Sequence, residues 1–275
     1  MVVSFHPIFP ADRNMVCAGR DPGPEELAAI RTARAVVLPQ GCTRGLWQMA
    51  RENCPNVFPD YAARFRHPGK TGQIRLFRET GAPHPPTEVF PNVAAFRKRY
   101  GEGTRPRLPC VFKFDWGGEG ETVFLVRSPA GLERRIAQAA VCEATGQSGF
   151  LLQQRVPAGN RSLRVVVIGR RLVSYWRVHG SGRRFAVSVS KGARIDTRTD
   201  PELIARAEEA VRGFCRRSGI ELAGLDLIFD VHQKPPPPLL LEVNYFFGRV
   251  GIGGSSAYYR ILRAEIRAWL KRVAA

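Results

Sequence analysis

Two constellations in the chain combine residue types suited to phosphate chemistry. The first is Lys113-Phe114-Asp115-Trp116-Gly117-Gly118-Glu119-Gly120, a lysine followed by a glycine-rich turn. Glycines let backbone N–H groups approach phosphate oxygens closely, and the lysine adds a point charge. The G-x-x-x-x-G-K-[ST] spacing of a P-loop is absent, and a glycine-rich tip alone is often no more than a turn. The second is Asp226 with Glu242 and Asn244. Glu242 and Asn244 are two residues apart, so on a strand their side chains leave the same face. Both carboxylates interrupt apolar runs, Leu225–Phe229 and Leu239–Val243. A carboxylate in such a run is costly to bury unless a cation or hydrogen bonds satisfy it. Three oxygen ligands, two of them anionic, suit Mg²⁺ (or Mn²⁺) bridging nucleotide phosphates.

These residues need elements to hold them. Leu108–Phe114 reads as a strand ending near Lys113, and Val123–Val126 as its hairpin partner across the glycine-rich tip. Ser128 caps a predicted helix over 129–144, with Pro129 at the tolerated first position. Phe150–Val156 reads as a strand, followed by a pair, Leu163–Ile168 and Leu172–Val178, joined by Gly169-Arg170-Arg171. A long helix is predicted over Pro201–Ser218, then a hairpin, Gly224–Val231 and Leu239–Val243, across the proline run 235–238. A last helix runs from Ser256 to about Val273. Before these, Lys70–Glu79 reads as a helix stopped at Gly81, and the prolines at 83, 85 and 86 forbid its continuation. The N-terminal part alternates short apolar runs (Val2–Phe5, Met15–Ala18, Ala35–Leu38) with helical patterns opened by Pro24 and capped by Thr43. That alternation is the signature of a small parallel α/β unit. The expected organisation is an α/β N-terminal unit over 1–68, then α+β units over 69–149 and 150–275.

Composition narrows the class. With 44% hydrophobic and 24% charged residues in 275, the chain can bury a sizeable core. No run approaches the roughly 20 apolar residues of a membrane helix, and the N-terminus lacks the basic region of a signal peptide. The expected location is the cytoplasm. The six cysteines are scattered without C-x-x-C pairs, so they read as buried thiols rather than as a zinc site. The net charge is +18, and the basic residues are nearly all arginines spread along the chain. Attraction to nucleic acid or acidic peptide is one reading. The even spread, with no nucleic-acid-binding motif, favours a solvated basic surface.

In order and spacing, these segments resemble the ATP-grasp superfamily over about residues 69–255. The likeness is nearest to ligases that add glutamate to ribosomal protein, with glutathione synthetases and D-alanine–D-alanine ligases further off. Lys70 followed by Gly81-Ala82-Pro83-His84-Pro85-Pro86-Thr87 is similar to that family's opening, and Asp226 with Glu242-Val243-Asn244 to its metal triad. The resemblance implies that Lys70 and Lys113 hold phosphates under a lid containing Gly117, Gly118 and Gly120. Gln153, Gln154, Arg155 and Val156 would line the adenine, and Ser162 stands where a ribose-binding aspartate is common. Arg164 and Arg177 fall where the family places arginines on the phosphate and reacting carboxylate. Thr122 replaces a third lid glycine, Ser188 stands in place of an asparagine near the γ-phosphate, and Tyr245–Arg249 lacks the usual small residue and proline.

The implied function is ligation of a carboxylate to an amine or thiol, with ATP and Mg²⁺, through an acyl phosphate. Lys113, Arg164 and Arg177 would be its electrostatic catalysts. Arg249, Gly253 and Ser255, just past the metal strand and before a helix, are candidates to hold an anionic substrate. Alternatives are a non-catalytic nucleotide-binding relative and a polyanion-binding protein. The oligomeric state is open, a homodimer included.

Overall fold

The structure is a computed structural model and describes residues 1–101, 104–118, 120–178 and 192–274. Ser188, one of the departures above, lies outside them. The mixed α/β expectation holds, in three sheets.

The first sheet is parallel, with strands β1 (Val2–Ser4), β2 (Arg13–Asn14), β3 (Ala35–Val37) and β4 (Val57–Phe58) in the order β2-β1-β3-β4. Helices α1 (Pro24–Arg31) and α2 (Arg44–Asn53) connect it. Thr43 caps α2 by accepting from the Leu46 N–H at 3.3 Å. The strand expected at Met15–Ala18 falls instead at Arg13–Asn14, because Asp12 accepts from the Val2 N–H at 2.6 Å and pins the chain there. Ala18 then takes a positive φ and ends the run.

Two short helices follow, α3 (Ala62–Arg66) and α4 (Gly69–Glu79). The second sheet is antiparallel, with β5 (Thr87–Phe90), β6 (Cys110–Phe114), β7 (Val123–Val126) and β8 (Phe150–Gln154) in the order β5-β8-β6-β7. Residues 150–154 therefore pair with the strands that precede them in the chain. Helices α5 (Val93–Arg99) and α6 (Pro129–Ala144) cover one face around an aromatic cluster of Phe90, Phe96, Phe112, Phe114 and Phe150. The residues between them on β6, Val111 and Lys113, therefore look to the other face.

The third sheet is antiparallel as well. It comprises β9 (Arg161–Ile168), β10 (Arg171–Val178), β11 (Arg194–Asp196), β12 (Leu222–Ile228) and β13 (Leu239–Asn244), in the order β11-β10-β9-β12-β13. Helix α7 (Pro201–Ser218) packs on one face through Ala207, Val211 and Phe214. Helix α8 (Gly254–Arg272) lies on the other face, its Leu262, Ile266 and Trp269 buried with Val166 and Ile168 and with Val2, Val37 and Phe58 of the first sheet. A single apolar cluster thus joins the N-terminal sheet, α8 and the third sheet.

Candidate active site

Register brings the predicted residues together. Asp226 pairs with Glu242 on one side and Arg164 on the other, Gly224 with Asn244, and Ser162 with Arg177. Paired residues share a face, and so do residues two apart on one strand. Arg177, Ser162, Arg164, Asp226, Glu242 and Asn244 therefore line one face of the third sheet. Gly224 is needed there, because a Cβ would sit 3.1 Å from Cδ of Arg164 and from Cβ of Phe247.

Asp226 is the hub. One carboxylate oxygen accepts from Arg164 Nε and from Arg177 Nη2, the latter at 2.9 Å. The other accepts from Arg164 Nη2 at 2.9 Å and from Asn244 Nδ2 at 3.2 Å. Burial alone would raise its pKa, but the two guanidiniums outweigh burial and hold it below the ordinary carboxylate range. Four donors fill its acceptor sites. Ser162 Oγ accepts from Arg177 at 2.9 and 3.2 Å, so it positions that arginine. Both arginines keep Nη1 without a hydrogen-bond partner among the described residues.

Glu242 differs. It has no hydrogen-bond partner among the described residues, and burial, then neighbouring Asp226, raise its pKa. Lys70 of α4, Lys113 of the second sheet and Arg164 act against that rise by their charge. Lys113 is equally solitary. Its ammonium is buried, donates no hydrogen bond among the described residues, and is pushed down to about 8 by burial despite Glu242 and Asp226. Lys70 is also lowered by burial. It is spent on the glycine-rich turn, donating to the Trp116 and Gly117 carbonyls at 2.9 and 2.8 Å.

Thr122 closes that turn through its own hydroxyl, which donates to the Trp116 carbonyl at 2.6 Å. Gly117 has a φ of +80°, and a Cβ there would collide with the Thr122 side chain. Gly120 shares the positive-φ turn, while Gly118 has open space around it. On β8, Gln153 is buried and donates to Thr87 Oγ1 at 3.0 Å, whereas Gln154 and Arg155 are exposed and Val156 half-buried. The Gln153 side chain is thus engaged within the sheet.

Arg249 and Ser255 line a pocket of about 450 Å³ with Gln40, Phe246–Val250 and Gly254, and the predicted Gly253 is not among its lining residues. Arg249 donates to Ser255 Oγ at 3.3 Å and to Tyr259 Oη at 2.7 Å, and lies over the Tyr258 and Tyr259 rings. Gly253 takes φ +90° at the start of α8. Gln40, His6 and Asp115 escaped sequence reasoning. Gln40 reaches the pocket from the end of β3 and donates to the Tyr245 carbonyl at 2.9 Å. His6 is pushed down to about 4 by burial and by Arg249. Asp115 accepts from the Thr71 N–H at 2.6 Å and so anchors the first turn of α4.

With this geometry in hand, comparison with solved structures is informative. A RimK domain ATP-grasp protein of Sphaerobacter thermophilus aligns over 96% of this chain and 98% of its own, at a TM-score of 0.59 and 17% identity. The chain has the ATP-grasp fold. The ATP-grasp ligase PsnB, in complex with a precursor peptide and AMPPNP, aligns over 98% of this chain and 96% of its own, at a TM-score of 0.58 and 14% identity. In sequence, 147 residues match a probable alpha-L-glutamate ligase of Alkalilimnicola ehrlichii at 30% identity, 52% of this chain and 44% of that one. The match spans less than half of that relative's length. No protein-family model matches the chain. Lys113 of the second sheet and Glu242 of the third interact through their charges. Among the described residues no three His, Cys, Asp or Glu side chains form a metal cluster. The set at hand is two carboxylates and an amide. No helix among these residues is long and apolar enough to cross a membrane.

Proposed function

We propose that the chain is an ATP-dependent ligase that joins a carboxylate to an amine or thiol through an acyl phosphate, with Mg²⁺ or Mn²⁺. One observation carries this reading. A buried ammonium, Lys113, and a half-buried carboxylate, Glu242, interact from different sheets, and neither makes a hydrogen bond among the described residues. Such groups are expensive to keep in a fold unless a ligand satisfies both. A triphosphate with a divalent cation has the required charges of both signs.

The donor set fits a hard cation. Among the described residues Glu242 and the Oδ1 of Asn244 have no hydrogen-bond partner and could ligate, and Asp226 stands beside them, its oxygens filled by Arg164, Arg177 and Asn244. When bound, the cation would neutralise phosphate oxygens and assist transfer of the terminal phosphoryl group. Lys113 would hold a phosphate oxygen by charge. Arg164 and Arg177, fixed by Asp226 and Ser162, would present their Nη1 groups to the reacting carboxylate. Their rigidity favours stabilisation of developing charge without reorganisation. Lys70, Thr122 and Gly117 would set the position of the lid. Backbone groups of 154–156 would meet the adenine. The second substrate would lie toward Arg249 and Ser255. The alternative reading of the charge, a protein that only binds polyanions, leaves the Lys113–Glu242 pair without purpose.

Replacing Glu242 by Gln removes the charge and keeps the shape. ADP release in the presence of acid and amine mixtures should fall by roughly a hundredfold or more, a loss in line with removing a transition-state electrostatic group, with the melting temperature unchanged or raised. Turnover within tenfold of the parent would sink the assignment.

A further inference from the structure

Strand β13, which carries Glu242 and Asn244, is an edge strand of the third sheet, with β12 on its inner side. Val243 pairs with Leu225 on β12 and turns its own N–H and carbonyl outward. On an edge such groups are ordinarily left without a strand partner. Here one side-chain amide takes both. Gln73 Nε2 donates to the Val243 carbonyl at 2.9 Å, and Gln73 Oε1 accepts from the Val243 N–H at 2.9 Å. The amide thus stands in for a residue of a further strand, at the position between Glu242 and Asn244. On the same edge the Leu240 N–H donates to the Pro83 carbonyl at 2.8 Å, in the segment after α4.

The helix that supplies Gln73 also holds the glycine-rich turn. Asp115 accepts from the Thr71 N–H through its side chain at 2.6 Å and from the Lys70 N–H through its carbonyl at 3.3 Å. Lys70 Nζ donates to the Trp116 and Gly117 carbonyls. Gln73 follows Lys70 by three residues, so the two side chains are neighbours on α4. The first turn of α4 therefore grips the end of β6 and its turn, and the next grips β13. Apolar packing also brings α4 to the third sheet, since Ile74, Leu76 and Phe77 share a cluster with Leu240 and Val243. That contact is non-directional. It fixes nearness and leaves sliding along β13 open. Two hydrogen bonds to one residue's backbone fix the register, because each tolerates little change in distance or angle.

We propose that Gln73 is a positioning residue for the cation site, and that α4 ties β13 to the glycine-rich turn so that divalent cation and nucleotide are gripped together. The inference rests on the ligase reading for what β13 and the turn hold. Gln73 acts through the backbone of Val243, and so sets where Glu242 and Asn244 stand relative to Lys70 and the turn.

Two variants test it. Gln73→Met keeps the length of the side chain and removes both hydrogen bonds, while Gln73→Ala removes the stem as well. Amide hydrogen exchange of Val243, followed at single-residue resolution without ligand, should quicken at least roughly fivefold in both, the factor that one net hydrogen bond is worth. ATP is then titrated calorimetrically with excess Mg²⁺ and again in EDTA. Loss of register predicts Mg·ATP binding weakened roughly tenfold in both variants, with metal-free ATP binding within about twofold of the parent. A role in folding alone would lower the two affinities alike or leave both unchanged. Equal loss with and without Mg²⁺, or no loss, therefore overturns the proposal. So does unchanged Val243 exchange, or a Met variant that binds as the parent does, because stem packing would then be all that Gln73 supplies. Parent protein that binds no nucleotide, with Val243 exchange quickened in the variants, removes the ligase reading and the cation with it, while the tie between α4 and β13 stands.

Discussion

At the scale of single residues, the proposed chemistry turns on Lys113. Its amine is held at about 8, against the ordinary 10.5, by burial. A lysine whose folded pKa lies below its unfolded one disfavours the fold while it must stay charged. That cost is full below about 8 and is relieved as pH rises from about 8 to 10.5, so the unliganded protein should gain stability across that window. Nucleotide binding has the opposite sign, since phosphate requires the ammonium. Affinity for Mg·ATP should fall roughly tenfold between pH 7.5 and pH 9, and Lys113→Arg, which stays charged, should flatten the profile. Calorimetry at the two pH values checks both statements. A profile equally steep in the arginine variant would assign the titration to another group. Asp226 and Glu242 stood out in the sequence because each interrupts an apolar strand, Asn244 because it lies two residues beyond Glu242, and Lys113 because a glycine-rich turn follows it. His6, Gln40 and Asp115 were not, because each sits at a loop or strand end where polar residues are ordinary, and only the tertiary fold gives it a partner. Lys70 and Gln153 were legible as candidates, yet their hydrogen bonds to the lid and to Thr87 depend on contacts between segments far apart in the chain.

At the scale of elements, the glycine-rich turn between β6 and β7 depends on a pair of residues that meet across it. Gly117 exists because Thr122 fills the space a side chain would need. Gly117→Ala should cost about 1–3 kcal/mol through the positive φ and the collision. Adding Thr122→Gly should return part of that loss, because only the collision is removed. Denaturant unfolding of the single and double variants measures the coupling, and strict additivity would mean that the two residues do not meet. Long elements with end signals were readable. Pro201–Ser218 has Pro201 at its first position and Gly219, at φ +72°, just past its end. Strand β4, helices α3 and α5 and strand β11 were missed, because elements of two to seven residues carry too little periodicity to stand out. Each is set by its neighbours, as when β4 forms by pairing Val57 and Phe58 with β3.

At the scale of the whole molecule, α8 lies between the first and third sheets, and its apolar face is completed by Val2, Val37 and Phe58. Removing residues 1–68 should therefore not leave a working remainder. The fragment 69–275 should lose the single cooperative thermal transition expected of the full chain and expose surface that binds a hydrophobic dye. A fragment that melts cooperatively near the full-length temperature would contradict this picture of a shared core. The same arrangement delivers Gln40 to the pocket at Arg249, so the N-terminal unit contributes to the site as well as to stability. The measurement that tests the central claim most directly is calorimetric titration of Mg·ATP into the parent protein and into Lys113→Ala. The account predicts saturable binding by the parent and its loss, or a weakening of at least roughly tenfold, in the variant. Undiminished binding by a well-folded variant, or none by the parent, would contradict it.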